Sequence, residues 1–255
     1  MDAIILAGGK GTRLAPYTTI FPKPLMPIGD VPILDVVLRQ LKGYGFTKVV
    51  MAVGYLAELL ETYFGNGSKY GIDIQYSRES KPLGTAGPLS LIENLTNPFL
   101  VMNGDILTAL NYSTLINYHK KKEAIATIAM HKRTVDVDFG VIELNSDSEI
   151  TNYIEKPNLK YLVSMGIYIF DTKVLGYIKR EEKLDFPDLV KKLLKNNEKV
   201  IGYPSDDYWL DIGRHDDYQR AVDEFEENKD KFLPNESKKS NSIESTGRSQ
   251  NAHKS

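Results

Sequence analysis

The residues best suited to chemistry form a glycine-rich loop near the N-terminus. The segment Leu6-Ala7-Gly8-Gly9-Lys10-Gly11-Thr12-Arg13-Leu14 follows a short apolar run and holds three glycines within four residues. Backbone N–H groups can converge on an anion there, because glycine has no Cβ atom to block the approach. Lys10 and Arg13 add positive charge to the same loop. The pattern predicts a phosphate cradle for a nucleotide; the alternative is a tight turn that binds nothing.

Two common phosphate-binding loops do not fit this segment. The chain contains no GxxxxGK[ST] string, which excludes a Walker A loop. A dinucleotide fingerprint needs a third glycine that leads directly into a helix, whereas Leu14 stands at that position. The prolines that follow, at Pro16, Pro22, Pro24 and Pro27, oppose a long helix. Hydride-transfer chemistry is therefore disfavoured.

A second basic segment, Phe21-Pro22-Lys23-Pro24, follows the loop. Prolines on both sides hold the backbone of Lys23 extended and restrict where its ammonium can lie. Alone, Lys23 would be interpreted as a solvent-facing lysine in a stiff loop. The two segments together resemble the signature of the sugar-1-phosphate nucleotidylyltransferases, GGxGTRL followed by FPKP. Further motifs in the same order extend the resemblance over residues 1–225.

The resemblance places the nucleotide on the glycine-rich loop and on the segment Pro82-Leu83-Gly84-Thr85-Ala86-Gly87. In this family the second segment recognises the nucleobase, so Gly84 would let the backbone approach the base and Thr85 would supply further contacts. A helix N-cap at Thr85 is a structural alternative that is compatible with this role. Arg13 is expected to face the leaving pyrophosphate and Lys23 the α-phosphate.

Two aspartates are the predicted magnesium ligands. Asp105 ends the segment Val101-Met102-Asn103-Gly104-Asp105, at the carboxyl end of an apolar strand, where open α/β sheets bind ligands. Asp211, in Trp209-Leu210-Asp211-Ile212-Gly213, is its expected partner. Mg²⁺ prefers one or two carboxylates together with phosphate oxygens and waters. The alternatives are a turn at Gly104-Asp105 and a surface aspartate that caps the following helix.

The resemblance also assigns residues to the sugar 1-phosphate. Gly140 is expected to approach the sugar, Glu155 to accept hydrogen bonds from its hydroxyls, and Lys156 to hold its phosphate. Asn103 and Gly166 complete the expected substrate-binding set. The combination is chemically coherent, because a sugar phosphate needs a hydrogen-bond acceptor for the polyol and a point charge for the phosphate.

The implied reaction joins a nucleoside triphosphate and a sugar 1-phosphate, giving a nucleotide sugar and pyrophosphate. The segment from Leu83 to Leu89 most resembles the mannose-1-phosphate guanylyltransferase branch, which favours GTP and mannose 1-phosphate. A uridylyl- or thymidylyltransferase that uses glucose 1-phosphate is the alternative. A non-catalytic sensor of nucleotide sugars is an alternative from a different class. The retained Arg13, Lys23, Asp105, Lys156 and Asp211 favour an enzyme.

The elements that must position these residues alternate between strands and helices. The predicted strands are Ala3–Ala7, Lys48–Val53, Ile72–Tyr76, Phe99–Met102, Ile125–Met130, Gly140–Leu144, Ile150–Ile154 and Val163–Phe170. The predicted helices are Ile33–Lys42, Ala57–Phe64, Pro88–Leu95, Thr114–Lys122, Phe186–Leu194 and Asp216–Phe225. This order predicts an α/β fold, a Rossmann-like, doubly wound, mixed but mostly parallel sheet flanked by helices.

Composition excludes several classes of protein. The 255 residues have a formal charge of −2, which argues against a strongly electrostatic nucleic-acid binder. Cysteine is absent, so a disulfide framework, a thiolate zinc site and a catalytic thiol are excluded. The sequence has neither a signal-peptide pattern nor an apolar run of about 18 residues, so we expect a cytoplasmic protein without a membrane partner. The resemblance is compatible with a homo-oligomer and does not define its size.

The C-terminal residues differ from the rest of the chain. From Asn235 to Ser255 there are six serines, and Ile243 is the only large apolar side chain. Such a segment buries too little surface to offset the entropy of ordering it. We therefore expect a single catalytic domain over residues 1–232 and a disordered polar tail over residues 233–255. Many family members continue into a β-helix with acyltransferase activity, which we do not expect in this polypeptide.

Overall fold

The computed structural model describes residues 1–233. Its strands are β1 Asp2–Ala7, β2 Pro27–Ile28, β3 Val31–Pro32, β4 Lys48–Val53, β5 Asp73–Arg78, β6 Phe99–Asn103, β7 Ile106–Thr108, β8 Ala126–Asp136, β9 Val141–Leu144, β10 Ile150–Ile154, β11 Asn158–Phe170, β12 Val200–Ser205 and β13 Trp209–Asp211. Its α-helices are α1 Ile33–Gly43, α2 Ala57–Phe64, α3 Tyr112–Lys122, α4 Phe186–Lys195, α5 His215–Glu227 and α6 Lys229–Phe232. Short single turns of 3₁₀ helix connect several of these elements.

The central sheet has seven strands in the order β12-β8-β11-β6-β1-β4-β5. The pairs β1–β4, β1–β6, β4–β5 and β12–β8 are parallel, whereas β11 runs antiparallel to both β6 and β8. Helices flank this sheet, and apolar clusters lie on both of its faces. The predicted mixed, mostly parallel α/β fold is confirmed.

Burial explains why the central strands are nearly continuous apolar runs. Five of the six residues of β1 are buried, as are five of the six residues of β4, because helices cover both faces of the sheet. Helix α1 buries the predicted apolar face, whose members are Ile33, Leu34, Val37, Leu38 and Leu41. The central sheet thereby provides a rigid platform for the loops that follow the carboxyl ends of its strands.

Several elements differ from the expectation. The helix predicted over Pro88–Leu95 is only a 3₁₀ turn over Gly87–Leu91, because the chain becomes extended at Ile92 and takes a left-handed conformation at Asn94. Strands β7 and β13, of three residues each, were not predicted, and neither was β12.

A protruding arm is formed by residues 131–163, in which β8 and β11 extend beyond the central sheet and β9 pairs with β10 in a separate antiparallel sheet. Its exposed large apolar side chains are Val135, Phe139, Ile142, Leu144, Ile150, Tyr153, Ile154, Leu159, Tyr161 and Leu162.

The C-terminal part of the described chain packs on the domain. Phe232 and Leu233 are buried in a further apolar cluster, separate from those on the two faces of the sheet, whose members include Ile28 and Leu210. The predicted disordered tail lies outside the described residues, except for Leu233. Among residues 1–233, no helix has both the length and the apolar character that crossing a membrane requires.

Candidate functional site

A cleft of about 780 Å³ opens at the carboxyl ends of β1, β4 and β6. Twelve of the predicted site residues line it, namely Leu6, Ala7, Gly8, Gly9, Gly11, Thr12, Arg13, Lys23, Gly84, Thr85, Asn103 and Asp105. A larger cavity of about 880 Å³ lies along α1 and contains none of the predicted residues. Because the carboxyl ends of parallel strands are where open α/β sheets bind ligands, the cleft is the candidate active site.

The glycine-rich loop forms one wall of this cleft. Gly11 has a left-handed φ of 61°, and a Cβ atom on it would lie 2.9 Å from Cγ2 of Thr18. The hydroxyl of Thr18 also donates a hydrogen bond to the carbonyl oxygen of Gly11 at 2.8 Å. Leu14 is fully buried and anchors the far end of the loop. The loop therefore needs glycine at residue 11 and is anchored in its C-terminal half, while a Cβ on Gly9 would meet open space.

Lys23 brings its ammonium group into the acidic part of the cleft. It lies in a 3₁₀ turn, Lys23–Leu25, whose middle residue, Pro24, is buried. Its Nζ forms an ion pair with Oδ2 of Asp105 and lies 4.0 Å from Oδ1 of Asp211. The side chain of Lys23 is only 11% exposed. The interpretation of Lys23 as a solvent-facing lysine is therefore wrong.

Asp105 and Asp211 come together through a two-stranded sheet. After β6, Gly104 packs closely against β1: its N–H donates to the carbonyl oxygen of Leu6 at 3.0 Å. Strand β7 then pairs antiparallel with β13, which sets Asp211 opposite Ile106. The fold thus joins two carboxylates that are about 100 residues apart in the sequence.

The electrostatics of this pair match a site for a cation. Burial raises the pKa of Asp211, and the charge of Asp105 raises it further, while Lys23 and Arg13 act in the opposite direction. Oδ1 of Asp105 is buried without a hydrogen-bond partner among the described residues. A buried carboxylate oxygen without a partner is costly unless a ligand satisfies it.

The two carboxylates suit Mg²⁺ better than they suit a metal whose ligands all come from the protein. Within residues 1–233, no group of three or more His, Cys, Asp or Glu side chains is placed to hold a metal ion. Two carboxylates that open into a cleft are what Mg²⁺ uses when phosphate oxygens and waters complete its coordination. Asp105 and Asp211 therefore fit that ion.

On the opposite wall, Gly84 and Thr85 have structural partners. Gly84 has a φ of 79°, and a Cβ atom on it would lie 2.7 Å from the carbonyl oxygen of Leu184. The hydroxyl of Thr85 donates to Oδ1 of Asp185 at 3.2 Å and accepts the N–H of Phe186 at 2.9 Å. Thr85 thus accepts a backbone N–H from the first turn of α4, which is about 100 residues away in the sequence. It does not cap the 3₁₀ turn that follows it.

Sequence reasoning missed Glu79, whose side chain also lines the cleft. Glu79 directly follows β5, which is the same signal, a carboxylate after a strand, that indicated Asp105. Its Oε2 accepts the N–H of Leu83 at 2.9 Å.

The predicted sugar-side residues fall into two groups. Asn103 and Gly166 are neighbours on β6 and β11, where a Cβ on Gly166 would lie 2.7 Å from Nδ2 of Asn103. Gly140, Glu155 and Lys156 belong to the arm and do not line the cleft. There, Glu155 accepts a hydrogen bond from the hydroxyl of Tyr153 at 3.3 Å. Asn103 therefore lies at the cleft with Gly166 packed beside it, and the second group lies outside the cleft.

Comparisons with known proteins identify the family. The family described as Nucleotidyl transferase matches residues 2–228. A UTP–glucose-1-phosphate uridylyltransferase of Synechocystis sp. is 36% identical over 87% of this chain and 62% of its own length. A mannose-1-phosphate guanyltransferase of Yarrowia lipolytica is 35% identical over 86% of this chain and 62% of its own length.

A solved structure has the same fold. The crystal structure of HddC from Yersinia pseudotuberculosis, complexed with GMP-PN, has a TM-score of 0.68 and 25% identity, and the match covers 88% of this chain and 99% of HddC. The chain spans 62% of the length of the two curated relatives above. It belongs to the nucleotidyl transferase family.

Proposed function

We propose that this protein transfers a nucleotidyl group from a nucleoside triphosphate to a sugar 1-phosphate and releases pyrophosphate. The observation that carries the proposal is the cluster of Lys23, Asp105 and Asp211 beside the glycine-rich loop. The cluster offers positive charge for phosphates and two neighbouring carboxylates for a divalent cation; Lys23 and Asp105 line the cleft, and Asp211 lies beside them. The family membership and the two curated relatives support the same reaction class.

The chemistry needs positioning more than proton transfer. An oxygen of the sugar phosphate attacks the α-phosphorus in line, the new P–O bond forms, and the bond to pyrophosphate breaks. Because the nucleophile is already an anion at neutral pH, no general base is required. The protein must hold two anions that repel each other and stabilise the charge of the transition state. Lys23 faces the α-phosphate, and Arg13 faces the leaving pyrophosphate.

Asp105 and Asp211 are the proposed ligands of Mg²⁺. The ion, when bound, neutralises phosphate charge and orients the two substrates. The buried Oδ1 of Asp105, which has no partner within residues 1–233, supports this assignment. Asp211, whose pKa is raised by burial and by Asp105, gains a counter-charge from the same ion.

The sugar phosphate is proposed to lie between Asn103 and Gly166 on the sheet and Gly140, Glu155 and Lys156 on the arm. Asn103 lines the cleft and Gly166 packs beside it, whereas Gly140 is half-buried and Glu155 and Lys156 are exposed. Exposure leaves the hydrogen-bonding groups of Glu155 and Lys156 accessible to a ligand. We place these residues in a single catalytic domain over residues 1–232.

GTP and mannose 1-phosphate are the proposed substrates. The segment from Leu83 to Leu89 resembles that branch, a mannose-1-phosphate guanyltransferase is among the relatives, and HddC was solved with GMP-PN. A uridylyl- or thymidylyltransferase that uses glucose 1-phosphate is the second candidate, which the similarity to a UTP–glucose-1-phosphate uridylyltransferase favours.

A grid of nucleoside triphosphates against sugar 1-phosphates tests the proposal. Pyrophosphate release is followed with Mg²⁺ and, as a control, with excess EDTA. We expect release only when both substrates and Mg²⁺ are present, with GTP and mannose 1-phosphate the fastest pair. Nucleotide-sugar binding without pyrophosphate release from any pair would instead support the non-catalytic sensor.

A further inference from the structure

Residues 182–185, directly before α4, pack against segment 83–87, which contributes one wall of the cleft. The N–H groups of Ala86 and Gly87 both donate to the carbonyl oxygen of Leu184, at 2.9 and 3.0 Å. This wall is therefore bonded to backbone that lies about 100 residues further along the chain.

Asp185 makes the side-chain contacts of this packing. Its Oδ1 accepts the N–H of Thr85 at 2.9 Å and the hydroxyl of Thr85 at 3.2 Å. The hydroxyl oxygen of Thr85 in turn accepts the N–H of Phe186 at 2.9 Å. Thr85 lines the cleft and Asp185 does not, so the carboxylate contacts the wall from behind.

The carboxylate of Asp185 has no hydrogen bond to its own helix. Asp185 directly precedes the first turn of α4, where an aspartate side chain usually accepts an N–H of that turn. Pro187 has no N–H, and the N–H of Asp188 donates to the carbonyl oxygen of Asp185 at 3.1 Å. The side chain thus forgoes a stabilising cap and is bonded to Thr85 instead.

Gly84 shows how closely the two segments approach. Its φ is 79°, and a Cβ atom on it would lie 2.7 Å from both Oδ1 of Asp185 and the carbonyl oxygen of Leu184. Because the Thr85 N–H is held by a carboxylate, the peptide between Gly84 and Thr85 has a fixed orientation before any ligand binds. A wall that is already ordered costs less free energy to bind against.

We propose that Asp185 is a positioning residue for the nucleotide. It holds the backbone of Gly84 and Thr85 in the conformation that receives the nucleotide, and it does not touch the nucleotide itself. The inference rests on the nucleotidyl transfer proposed above, which places the nucleoside triphosphate against this wall.

Calorimetric titration of Asp185→Ala with two ligands tests the proposal. The first ligand is GTP, or UTP if the wild type binds UTP more tightly. Its dissociation constant should rise by about 10-fold, the lower limit for a lost hydrogen bond to a charged group. The second ligand, pyrophosphate, has no nucleoside to place against the wall and should bind as it does to the wild type. A variant that is merely less well folded would bind both ligands more weakly.

A rescue variant and a matched control sharpen the comparison. Asp185→Asn retains an oxygen that can accept from Thr85, so its triphosphate affinity should be within about threefold of the wild-type value. Asp188→Ala removes an exposed carboxylate of the same helix, which pairs with Lys191 at 3.2 Å and does not line the cleft. It should bind both ligands as the wild type does. Equal losses in Asp185→Ala and Asp185→Asn, or a loss shared by pyrophosphate, would overturn the role of Asp185.

Two further measurements address the same role. In Asp185→Ala, KM for the triphosphate should rise while kcat at saturation is unchanged, because binding is lost equally in the ground state and the transition state. Weaker binding of the sugar 1-phosphate alone would overturn the role. In the free wild type, the Thr85 amide should exchange its hydrogen slowly. Fast exchange that slows only after nucleotide is added would overturn the proposal, even if the variant does not fold.

Turnover separates this inference from the proposed reaction. Pyrophosphate release by the wild type, with the same triphosphate affinity in Asp185→Ala, would keep the reaction and overturn the role of Asp185. The expected difference between triphosphate and pyrophosphate binding, without release from any substrate pair, would keep that role and overturn the reaction. Failure of the wild type to bind any nucleoside triphosphate would overturn both.

Discussion

The N–H of Ile212 donates a hydrogen bond to the carbonyl oxygen of Asp105 at 3.2 Å. The bond extends the antiparallel pairing in which Asp211 lies opposite Ile106. It therefore fixes Asp211 next to Asp105 through the backbone, whatever the side chains bind. A three-residue pairing outside the central sheet thus brings a second carboxylate next to Asp105, which lines the cleft.

Replacing Asp105 or Asp211 with asparagine should lower turnover by about 10²-fold or more. The amide keeps the shape of the side chain but loses the charge that the cation needs. Each variant should need more Mg²⁺ for half-maximal rate. Because the first substitution already breaks the shared site, the double variant should be little slower than either single variant. The measurement is a Mg²⁺ titration of kcat with saturating substrates.

The folding of these variants serves as the control. The charge of Asp105 raises the pKa of Asp211, so removing either charge relieves repulsion in the metal-free protein. A melting temperature close to that of the wild type is expected for Asp211→Asn, whereas Asp105→Asn also loses the ion pair with the nearly buried Lys23 and should melt lower. Full activity of Asp211→Asn, or losses that simply add, would contradict a shared metal site.

Lys156→Ala should weaken sugar 1-phosphate binding about 10- to 150-fold and leave nucleotide binding unchanged, since a charge-assisted hydrogen bond to phosphate is lost. Because Lys156 is exposed, the free energy of unfolding should change by less than about 0.5 kcal/mol. Lys160→Ala, another exposed lysine of the arm, is the matched control and should change neither affinity. Separate calorimetric titrations with each substrate provide the measurement. If Lys156→Ala weakened only nucleotide binding, the sites proposed here for the nucleotide and for the sugar 1-phosphate would have to be exchanged.

Gly84→Ala and Gly45→Ala separate backbone strain from steric overlap. Their φ angles are 79° and 82°, but a Cβ on Gly84 would lie 2.7 Å from the carbonyl oxygen of Leu184, whereas a Cβ on Gly45 meets nothing within 4 Å. Left-handed strain should cost each variant about 1–2 kcal/mol. Overlap should cost Gly84→Ala about 1–3 kcal/mol more. Urea unfolding measures both values, and equal losses would contradict the tight packing between residues 84 and 184.

His119 should make the protein less stable as the pH falls. The side chain is buried, with Nδ1 2.8 Å from the hydroxyl oxygen of Thr127. Burial lowers the pKa of His119, and Lys120 acts in the same direction, while Asp171 opposes them. The unfolded chain therefore binds a proton at a higher pH than the folded chain, and stability decreases below pH about 6.5.

The expected slope in that window is at most about 1.4 kcal/mol per pH unit. Urea unfolding of the wild type at pH 7, 6 and 5.5 should show the decrease, and His119→Gln should remove this component. His215→Gln, at an exposed histidine, should retain it. An unchanged pH dependence in His119→Gln would show that other groups are responsible.

Local sequence patterns predicted the parts of the fold that are buried on both faces. Strands β1 and β4 are apolar because helices cover both faces of the sheet there, so their bounds could be predicted to within a residue. Asp105 could be found because it follows such a strand. Asp211 was placed with it only through the resemblance to a family, because β13 has three residues and no pattern of its own.

Contacts between distant residues account for most of what the sequence did not reveal. The hydroxyl of Thr85 is used by Phe186 at the start of α4, a partner that no local pattern indicates. Glu79 carried the same signal as Asp105, but only the fold shows that its carboxylate is oriented by Leu83. Gly140, Glu155 and Lys156 match their motifs, but their placement depends on the arm, whose β9–β10 sheet is separate from the central one.

The most direct test of nucleotidyl transfer follows the oxygen atoms of the sugar phosphate. Mannose 1-phosphate with ¹⁸O in its phosphate group is incubated with the full chain, GTP and Mg²⁺, and both products are analysed by mass spectrometry. If the sugar phosphate attacks the α-phosphorus, all of the label stays in the nucleotide sugar and the pyrophosphate carries none. Labelled pyrophosphate, or release of pyrophosphate without a labelled nucleotide sugar, would contradict the proposed reaction.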